Sequence, residues 1–120
     1  RIIKDLLMDQ KFVSGLGNIY VNEVLFYSKV LPTKKINQLA DEEIKIILIN
    51  IKKILKKAIN LGGSSIKNFS SSSGKSGAYQ QHFAVYGKKG NLCSNTDCNK
   101  SIKKIFISNR ASFFCPKCQK

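Results

Sequence analysis

Apolar residues recur at helical spacing in three segments of this 120-residue chain. Residues 1–9 predict a helix that keeps Lys4 on its solvent-facing side. A second helical pattern follows residue 18 and ends before Pro32. The longest pattern covers residues 41–60, and we expect its apolar stripe to lie against the core. That stripe consists of Ile44, Ile47, Leu48, Ile51, Leu55 and Ala58.

The spacing changes near the end of the chain, where alternating and β-branched residues replace the helical pattern. Residues 101–108 predict one strand, residues 109–110 a turn, and residues 111–114 a second strand. Residues 83–90 predict a further short strand and turn. A hairpin of this size cannot bury a core of its own. The predicted fold class is therefore mainly α, a helical domain followed by a small β-hairpin ribbon.

The four cysteines form two pairs that flank the predicted hairpin. Cys93 and Cys98 enclose four residues, and Cys115 and Cys118 enclose two. Two such turns can place four thiolates around a tetrahedral zinc ion. Two disulfides in a small secreted domain are the alternative, but no signal peptide opens the chain and the cysteines do not staple the rest of it. We therefore predict one zinc ion per chain, whose binding is coupled to folding of the hairpin.

The formal charge of +14 indicates a polyanionic partner, and nucleic acid is the usual one. An AT-rich genome would also favour lysine, so part of this charge can be a solvated surface without a partner. Arg110 is different, because a chain with only one other arginine places this guanidinium at the predicted hairpin turn. A planar guanidinium can bind a phosphate through two hydrogen bonds. An ordinary turn arginine remains the alternative.

Asn18 lies between glycines 15 and 17 and the second predicted helix. A helix start of this kind presents free N–H groups and the positive end of the helix dipole, both of which favour a phosphate. The simpler interpretation is that Asn18 caps the helix through its side chain. The motif alone does not decide between the two.

The remaining segments carry no set of residues that indicates catalysis. Residues 70–77 are almost entirely serine and glycine, which is typical of a flexible linker or of a mobile binding loop. His82, the only histidine, has no carboxylate or cysteine close to it in sequence. No apolar run is long enough to cross a membrane. With reduced cysteines, such a composition predicts a cytoplasmic protein.

Several motifs together give the chain a resemblance to the C-terminal half of the formamidopyrimidine-DNA glycosylase family. They occur in the family's order, at about its spacings, and extend over almost the whole chain. The motifs are Leu6-Leu-Met-Asp-Gln10, Gly15-Leu-Gly-Asn-Ile-Tyr20, Glu23, Gly62-Gly63, Val85-Tyr-Gly-Lys-Lys-Gly90 and Arg110-Ala-Ser-Phe-Phe-Cys-Pro-Lys-Cys-Gln-Lys120.

The resemblance implies a helix-two-turn-helix DNA-binding domain in residues 1–82, including a lesion-capping loop at 67–80, and a zinc finger in residues 83–120. It implies a bacterial base-excision repair enzyme that removes oxidised purines such as 8-oxoguanine and formamidopyrimidines, and cleaves the abasic site by β,δ-elimination. The expected partner is double-stranded DNA with oxidised purines or abasic sites. A cytoplasmic, nucleoid-associated monomer that does not bind membranes is expected.

The same resemblance implies roles for individual residues. Lys4 and Asn18 are expected to bind phosphates beside the lesion, and Lys75 and Tyr79 belong to the loop that closes over the base. Arg110 is expected to bind the same phosphates and to act as proton donor in δ-elimination. The metal ligands implied are Cys93, Cys98, Cys115 and Cys118.

Two departures from the family pattern limit what these residues can do. The family's nucleophile, an N-terminal proline followed by glutamate, has no counterpart here, so we expect a fragment that binds DNA without cutting it. The first cysteine pair encloses four residues instead of the usual two, which loosens that turn. The alternatives are a non-catalytic DNA-binding remnant and a zinc-ribbon module of transcription or translation machinery.

Overall fold

A computed structural model describes residues 1–11, 16–60, 83–95 and 97–120. Among these residues no helix is long and apolar enough to span a membrane. The described residues form three α-helices, one short 3-10 turn and a two-stranded antiparallel hairpin. Their bounds are α1 Ile3–Met8, α2 Asn18–Tyr27, the 3-10 turn Ile36–Gln38, α3 Asp41–Asn60, β1 Lys103–Ile107 and β2 Arg110–Phe114.

The helical part packs around one apolar cluster that α1, α2 and α3 share. Helix α2 lies at its centre and ends in a Schellman motif, in which Lys29 adopts a positive φ of 61°. The N–H groups of Lys29 and Val30 donate to the carbonyls of Phe26 and Leu25, both at 3.0 Å. The buried residues of this helical cluster are Ile3, Leu7, Leu16, Val21, Val24, Leu25, Val30, Ile47 and Ile51.

Helix α1 is covered on both sides, so the prediction that Lys4 faces solvent is wrong. Ile3 and Leu7 point into the helical cluster, as their spacing predicts. Lys4 is only 1% exposed because the hairpin lies against this side of α1. The pattern within one short helix cannot report a partner that is more than a hundred residues away in sequence.

Helix α3 buries a narrower stripe than its sequence predicts. Ile47 and Ile51 are buried against α2, whereas Ile44 is 37% and Leu48 54% exposed. In the described part of the chain α2 is the element that packs along α3. A single neighbouring helix covers only one flank, so the expectation for Ile44 and Leu48 is wrong within this part.

The hairpin forms as predicted, but its turn lies one residue earlier. Ser108 and Asn109 have positive φ of 50° and 65°, which is the backbone of a type I′ turn. Arg110 therefore begins β2 and pairs with Ile107, and does not occupy the turn. The short strand predicted in residues 83–90 is absent, because these residues form bends and turns.

The hairpin has its own apolar cluster, which joins the helical part through Phe26 of α2. We call this set the finger cluster. Its buried residues are Phe26, Ala84, Val85, Cys93, Cys98, Ile102, Phe113 and Cys115. Three of the four cysteines are therefore part of the packed interior of the hairpin region.

Candidate nucleic-acid interface and metal centre

The start of α2 and the start of β2 meet at one backbone carbonyl, that of Ala111. The side-chain amide of Asn18 donates to it at 3.1 Å, that of Asn22 at 3.4 Å, and the ammonium of Lys4 at 3.3 Å. Ala111 directly follows Arg110, whose side chain is exposed. The fold thus places Lys4, Asn18 and Arg110 side by side, although 106 positions separate the first from the last in sequence.

Asn18 does not cap its helix, which excludes the simpler interpretation of this residue. The N-cap position is Gly17, and no side-chain hydrogen bond caps the helix there. Asn18 is the first helical residue and reaches across to the hairpin instead. Its side-chain oxygen is buried and has no hydrogen-bond partner among the described residues. The Asn18 side chain therefore joins the start of α2 to β2 of the hairpin.

Lys4 links the two parts through a short chain of hydrogen bonds. Its ammonium donates to the Ser112 hydroxyl at 2.6 Å, and that hydroxyl donates to the Arg110 carbonyl at 3.2 Å. Burial and the nearby Arg110 charge lower the pKa of Lys4 to about 8, with partial compensation from Asp5. An ammonium has three hydrogens to donate, so Lys4 can still give one to an anion that approaches Arg110.

Asn22 is a junction residue that the sequence reasoning missed. It is 1% exposed, accepts the Phe113 N–H at 2.7 Å, and donates to the Asn18 carbonyl at 2.8 Å. One side chain therefore fixes both the first turn of α2 and the middle of β2. Its position four residues after Asn18, on the same helix face, was the available signal.

Glu23 holds the segment that enters the hairpin region. Its carboxylate accepts the N–H groups of Ala84 at 2.6 Å, Val85 at 3.0 Å and Tyr86 at 3.0 Å. Burial raises the pKa of Glu23, while these three N–H donors oppose that rise. A carboxylate that satisfies three neighbouring N–H groups fixes this segment against α2, although sequence reasoning assigned Glu23 no role.

The four cysteine thiols converge at the open end of the hairpin. All four Sγ atoms lie within 4.8 Å of one another. The Cys93 and Cys118 sulfurs are 3.8 Å apart, and those of Cys98 and Cys115 are 3.5 Å apart. A tetrahedral ion with zinc–sulfur bonds of about 2.3 Å separates its sulfurs by about 3.8 Å. The four thiols therefore fit a metal ion, and the longer first pair still brings Cys98 into place.

The end of the chain connects the cysteine cluster to the helical part. Gln119 is fully buried, where its side-chain oxygen accepts the Cys115 N–H and its amide donates to the Val30 carbonyl, both at 2.8 Å. Lys120 N–H donates to the Lys29 carbonyl at 3.0 Å. The turn that carries Cys115 is thus attached to the C-terminal end of α2.

Some predicted residues cannot be placed on this surface. The lesion-capping loop 67–80, with Lys75 and Tyr79, and the glycine pair at 62–63 lie outside the described residues. The chain is described again from residue 83, where Phe83 packs edge-on against Tyr20 of α2 and against Tyr86.

Comparison with known proteins decides the family. The profile of the "Formamidopyrimidine-DNA glycosylase H2TH domain" matches residues 1–70, more than half of the chain. The chain belongs to this family. The predicted resemblance is therefore confirmed, and the Asn18 and Lys4 positions fall inside the matched region.

Curated family members extend the similarity through the cysteine region. The formamidopyrimidine-DNA glycosylase of Listeria monocytogenes is 46% identical over 120 residues, which is 100% of this chain and 43% of that protein. The Bacillus subtilis protein of the same name is 48% identical over 99% of this chain and 42% of its own length. This chain thus spans less than half the length of the relatives it matches.

Solved structures of the family include DNA complexes. The Lactococcus lactis Fpg bound to DNA with an abasic site aligns with a TM-score of 0.86 and 44% identity, covering 100% of this chain and 42% of that one. MutM in complex with DNA containing carbocyclic 8-oxo-G aligns with a TM-score of 0.84 and 43% identity, covering 100% and 41%.

Proposed function

We propose that these residues form the DNA-binding half of a bifunctional DNA glycosylase and abasic-site lyase. The intact enzyme would remove oxidised purines and cleave the abasic site by β,δ-elimination. One observation carries this proposal: Lys4 and Asn18 both donate to the carbonyl next to Arg110, so the helix start and the hairpin present a single donor-rich surface. The names of the relatives and their complexes with damaged DNA support it.

The proposed site acts as a clamp on backbone phosphates beside the lesion. Lys4 and Arg110 supply positive charge, and Asn18 supplies amide hydrogens beside the positive end of α2. An enzyme that works on a base must turn it out of the stack, at a cost of a few kcal/mol. Holding the phosphates on either side of that nucleotide offsets this cost. Such contacts carry no base sequence, so binding should be similar across many sequences.

Arg110 has a second proposed role, as proton donor in the δ-elimination step. Its position next to the phosphate clamp supports this role, since the reacting sugar carries those phosphates. Lys75 and Tyr79, in the proposed capping loop 67–80, would close over the extruded base. These assignments follow the family pattern, residue by residue.

We further propose that the metal ion is zinc, with one ion bound by Cys93, Cys98, Cys115 and Cys118. Zinc would stiffen the hairpin that carries Arg110 and would take no part in the chemistry. The mainly helical region 1–82 and the finger 83–120 would then form two domains that act as one clamp. We propose that the protein acts as a monomer in the bacterial cytoplasm, where it associates with the nucleoid.

None of these 120 residues is proposed as the nucleophile. An amine must attack the sugar to form the covalent intermediate, and the family's N-terminal proline has no counterpart in this sequence. The 120 residues alone should therefore bind DNA without cutting it. Reading the coding sequence upstream of Arg1 tests this directly: an in-frame Met-Pro-Glu start supports the enzyme, and a stop codon leaves only a DNA-binding remnant.

Replacing Arg110 with alanine tests the clamp. Loss of one phosphate contact should weaken binding to an abasic-site duplex about tenfold. The plot of log affinity against log salt concentration should also become less steep, by about one unit of slope, because one counterion fewer is released on binding. Fluorescence anisotropy with a labelled duplex at several salt concentrations measures both quantities.

Lys117→Ala provides the matched control, because Lys117 is an exposed cation on the same finger, between Cys115 and Cys118. It should change affinity less than Arg110→Ala does. Equal effects of the two substitutions would mean that overall charge, and not the clamp, binds DNA. Unchanged affinity in Arg110→Ala would remove this residue from the site.

A further inference from the structure

One aromatic side chain of the finger is exposed to water. Phe106 on β1 is 70% exposed, whereas Phe26 and Phe113 are each 7% exposed in the finger cluster. The Lys104 ammonium lies 5.2 Å from the centre of the Phe106 ring. The ring is thus outside the packed interior, with a cation beside it and a surface available to a partner.

Phe106 is also next to the proposed clamp. In the hairpin register it pairs directly with Ala111, whose carbonyl receives Lys4 and Asn18. Paired residues of antiparallel strands have α-carbons about 5 Å apart. Arg110 pairs with Ile107, so its side chain leaves the opposite face of the ribbon. The two faces meet at the hairpin turn, where a strand that crosses the turn can contact Arg110 and the Phe106 ring through neighbouring nucleotides.

The charge around Phe106 identifies the kind of partner. Residues 99–120 contain six basic side chains and no acidic one, and Asp5 of α1 places one carboxylate at the turn, where it accepts the Ser108 hydroxyl. The net charge of this region is therefore strongly positive. An apolar protein partner would have to desolvate these cations, whereas a nucleic-acid strand would neutralise them. Exposed aromatic rings among cations are the usual stacking surface for nucleobases, because every base has a π-face.

We propose that Phe106, flanked by Lys104, is a nucleobase-stacking site that extends the phosphate clamp. The inference rests on the proposed DNA-binding function and adds a contact to a base where the clamp contacts only phosphates. The base is one that is unstacked in the bent strand, next to the nucleotide held at Arg110. A stacking contact is tolerant of sequence, so it adds affinity without a base code.

The absence of tryptophan from the chain allows a direct test. In a Phe106→Trp variant the indole would be the only one present, and stacking on a base should quench its fluorescence. Titration with an abasic-site duplex should therefore reduce the emission strongly. The matched control is Leu92→Trp, since Leu92 is also 70% exposed on the finger but lies near Cys93, away from the hairpin turn.

Affinity measurements provide a second readout. Phe106→Ala should weaken duplex binding about tenfold, because stacking on one base is lost. Its salt slope should equal that of the unchanged protein, since no charge is removed, in contrast to Arg110→Ala. Because Phe106 is exposed, zinc content and far-ultraviolet circular dichroism should be unchanged in the variant.

The outcomes separate this inference from the function on which it rests. If the chain binds duplex and Arg110→Ala weakens binding while Phe106→Ala does not, the stacking site is wrong and the clamp stands. Equal quenching of the Phe106→Trp and Leu92→Trp indoles would also overturn it. If the unchanged chain does not bind DNA at all, both proposals fail together.

Discussion

Lys4 shows how a single residue can serve both the fold and the proposed site. Its ammonium is almost completely buried, which costs solvation, and it lies close to the positive charge of Arg110. The hydrogen bonds to Ala111 and Ser112 offset only part of this cost, so its pKa falls to about 8. A phosphate between Lys4 and Arg110 would relieve the repulsion. DNA binding and protonation of Lys4 should therefore be coupled.

DNA affinity should accordingly fall as pH rises through the pKa of Lys4, which is about 8. Below this pH the ammonium attracts phosphate, and above it the free amine does not. The loss between pH 7 and 9.5 should be roughly tenfold, the value of one charge-assisted hydrogen bond. Anisotropy titrations across this range, at constant ionic strength, measure it.

The Lys4→Met variant provides the reference, because it retains every other group that titrates in this range. Its affinity should be lower at pH 7, and the difference from the unchanged protein should disappear by pH 9.5. Parallel pH profiles for the two proteins would show that Lys4 is not the titrating group. In the absence of DNA, the Lys4 contribution should make folding more favourable from about pH 8 towards 10.5, because the unfolded chain retains the proton longer.

The role of a residue can be predicted from sequence where the groups that define this role are close to it in sequence. The cysteine pairs indicated a metal centre because each pair forms its own turn, and the four thiols do converge. The environment of Lys4 could not be predicted, since its partners Ala111 and Ser112 lie more than a hundred residues away. Asn22 was missed for the same reason, because its role is defined by β2.

The middle of helix α2 joins the helical part to the finger. Glu23 accepts three successive N–H groups, from Ala84 to Tyr86, and thereby fixes the segment that leads into Cys93. Asn22, the preceding residue, binds β2. Two neighbouring helix positions thus define the angle between α2 and the hairpin, on which the distance from Asn18 to Arg110 depends.

Glu23→Gln should therefore destabilise the chain substantially. The amide keeps one acceptor oxygen but turns an NH2 group towards buried N–H donors, which leaves at least one of them unsatisfied. The loss in unfolding free energy should be roughly 2 to 3 kcal/mol. Urea unfolding followed by circular dichroism measures it.

The control Glu42→Gln, at an exposed position of α3, should change stability by less than about 0.5 kcal/mol. Similar midpoints for the two variants would contradict the role of Glu23.

At the scale of elements, periodicity predicts the three helices, the hairpin and part of the buried face of α1 and α3, but not how far each buried face extends. The turn was misplaced because Asn109-Arg110 has turn-forming character, whereas Ser108 and Asn109 adopt the positive φ that the strand twist requires. The burial of α3 was overestimated because a helix pattern shows which residues are apolar, not how many neighbours cover them. Ile44 and Leu48 are exposed for this reason.

The described part of the molecule contains two apolar clusters, which are joined by Phe26 of α2 and by polar contacts. The helical cluster contains no cysteine, whereas Cys93, Cys98 and Cys115 are part of the finger cluster. Polar contacts join the two at the Ala111 carbonyl, at Glu23 and at Gln119. A change at the metal centre should therefore unfold one cluster and weaken the junction, without necessarily unfolding the other.

Removal of the metal should accordingly weaken DNA binding strongly while most of the helical structure remains. We expect about one zinc per chain before treatment with a strong chelator, and none after it. Without the ion the hairpin loses order, and Arg110 is no longer held beside Asn18 and Lys4. Affinity for the abasic-site duplex should then fall below that of Arg110→Ala, while circular dichroism at 222 nm falls only slightly. Returning zinc should restore binding. Complete loss of the helical signal would show that the two clusters fold as one, and undiminished binding would exclude the finger from the clamp.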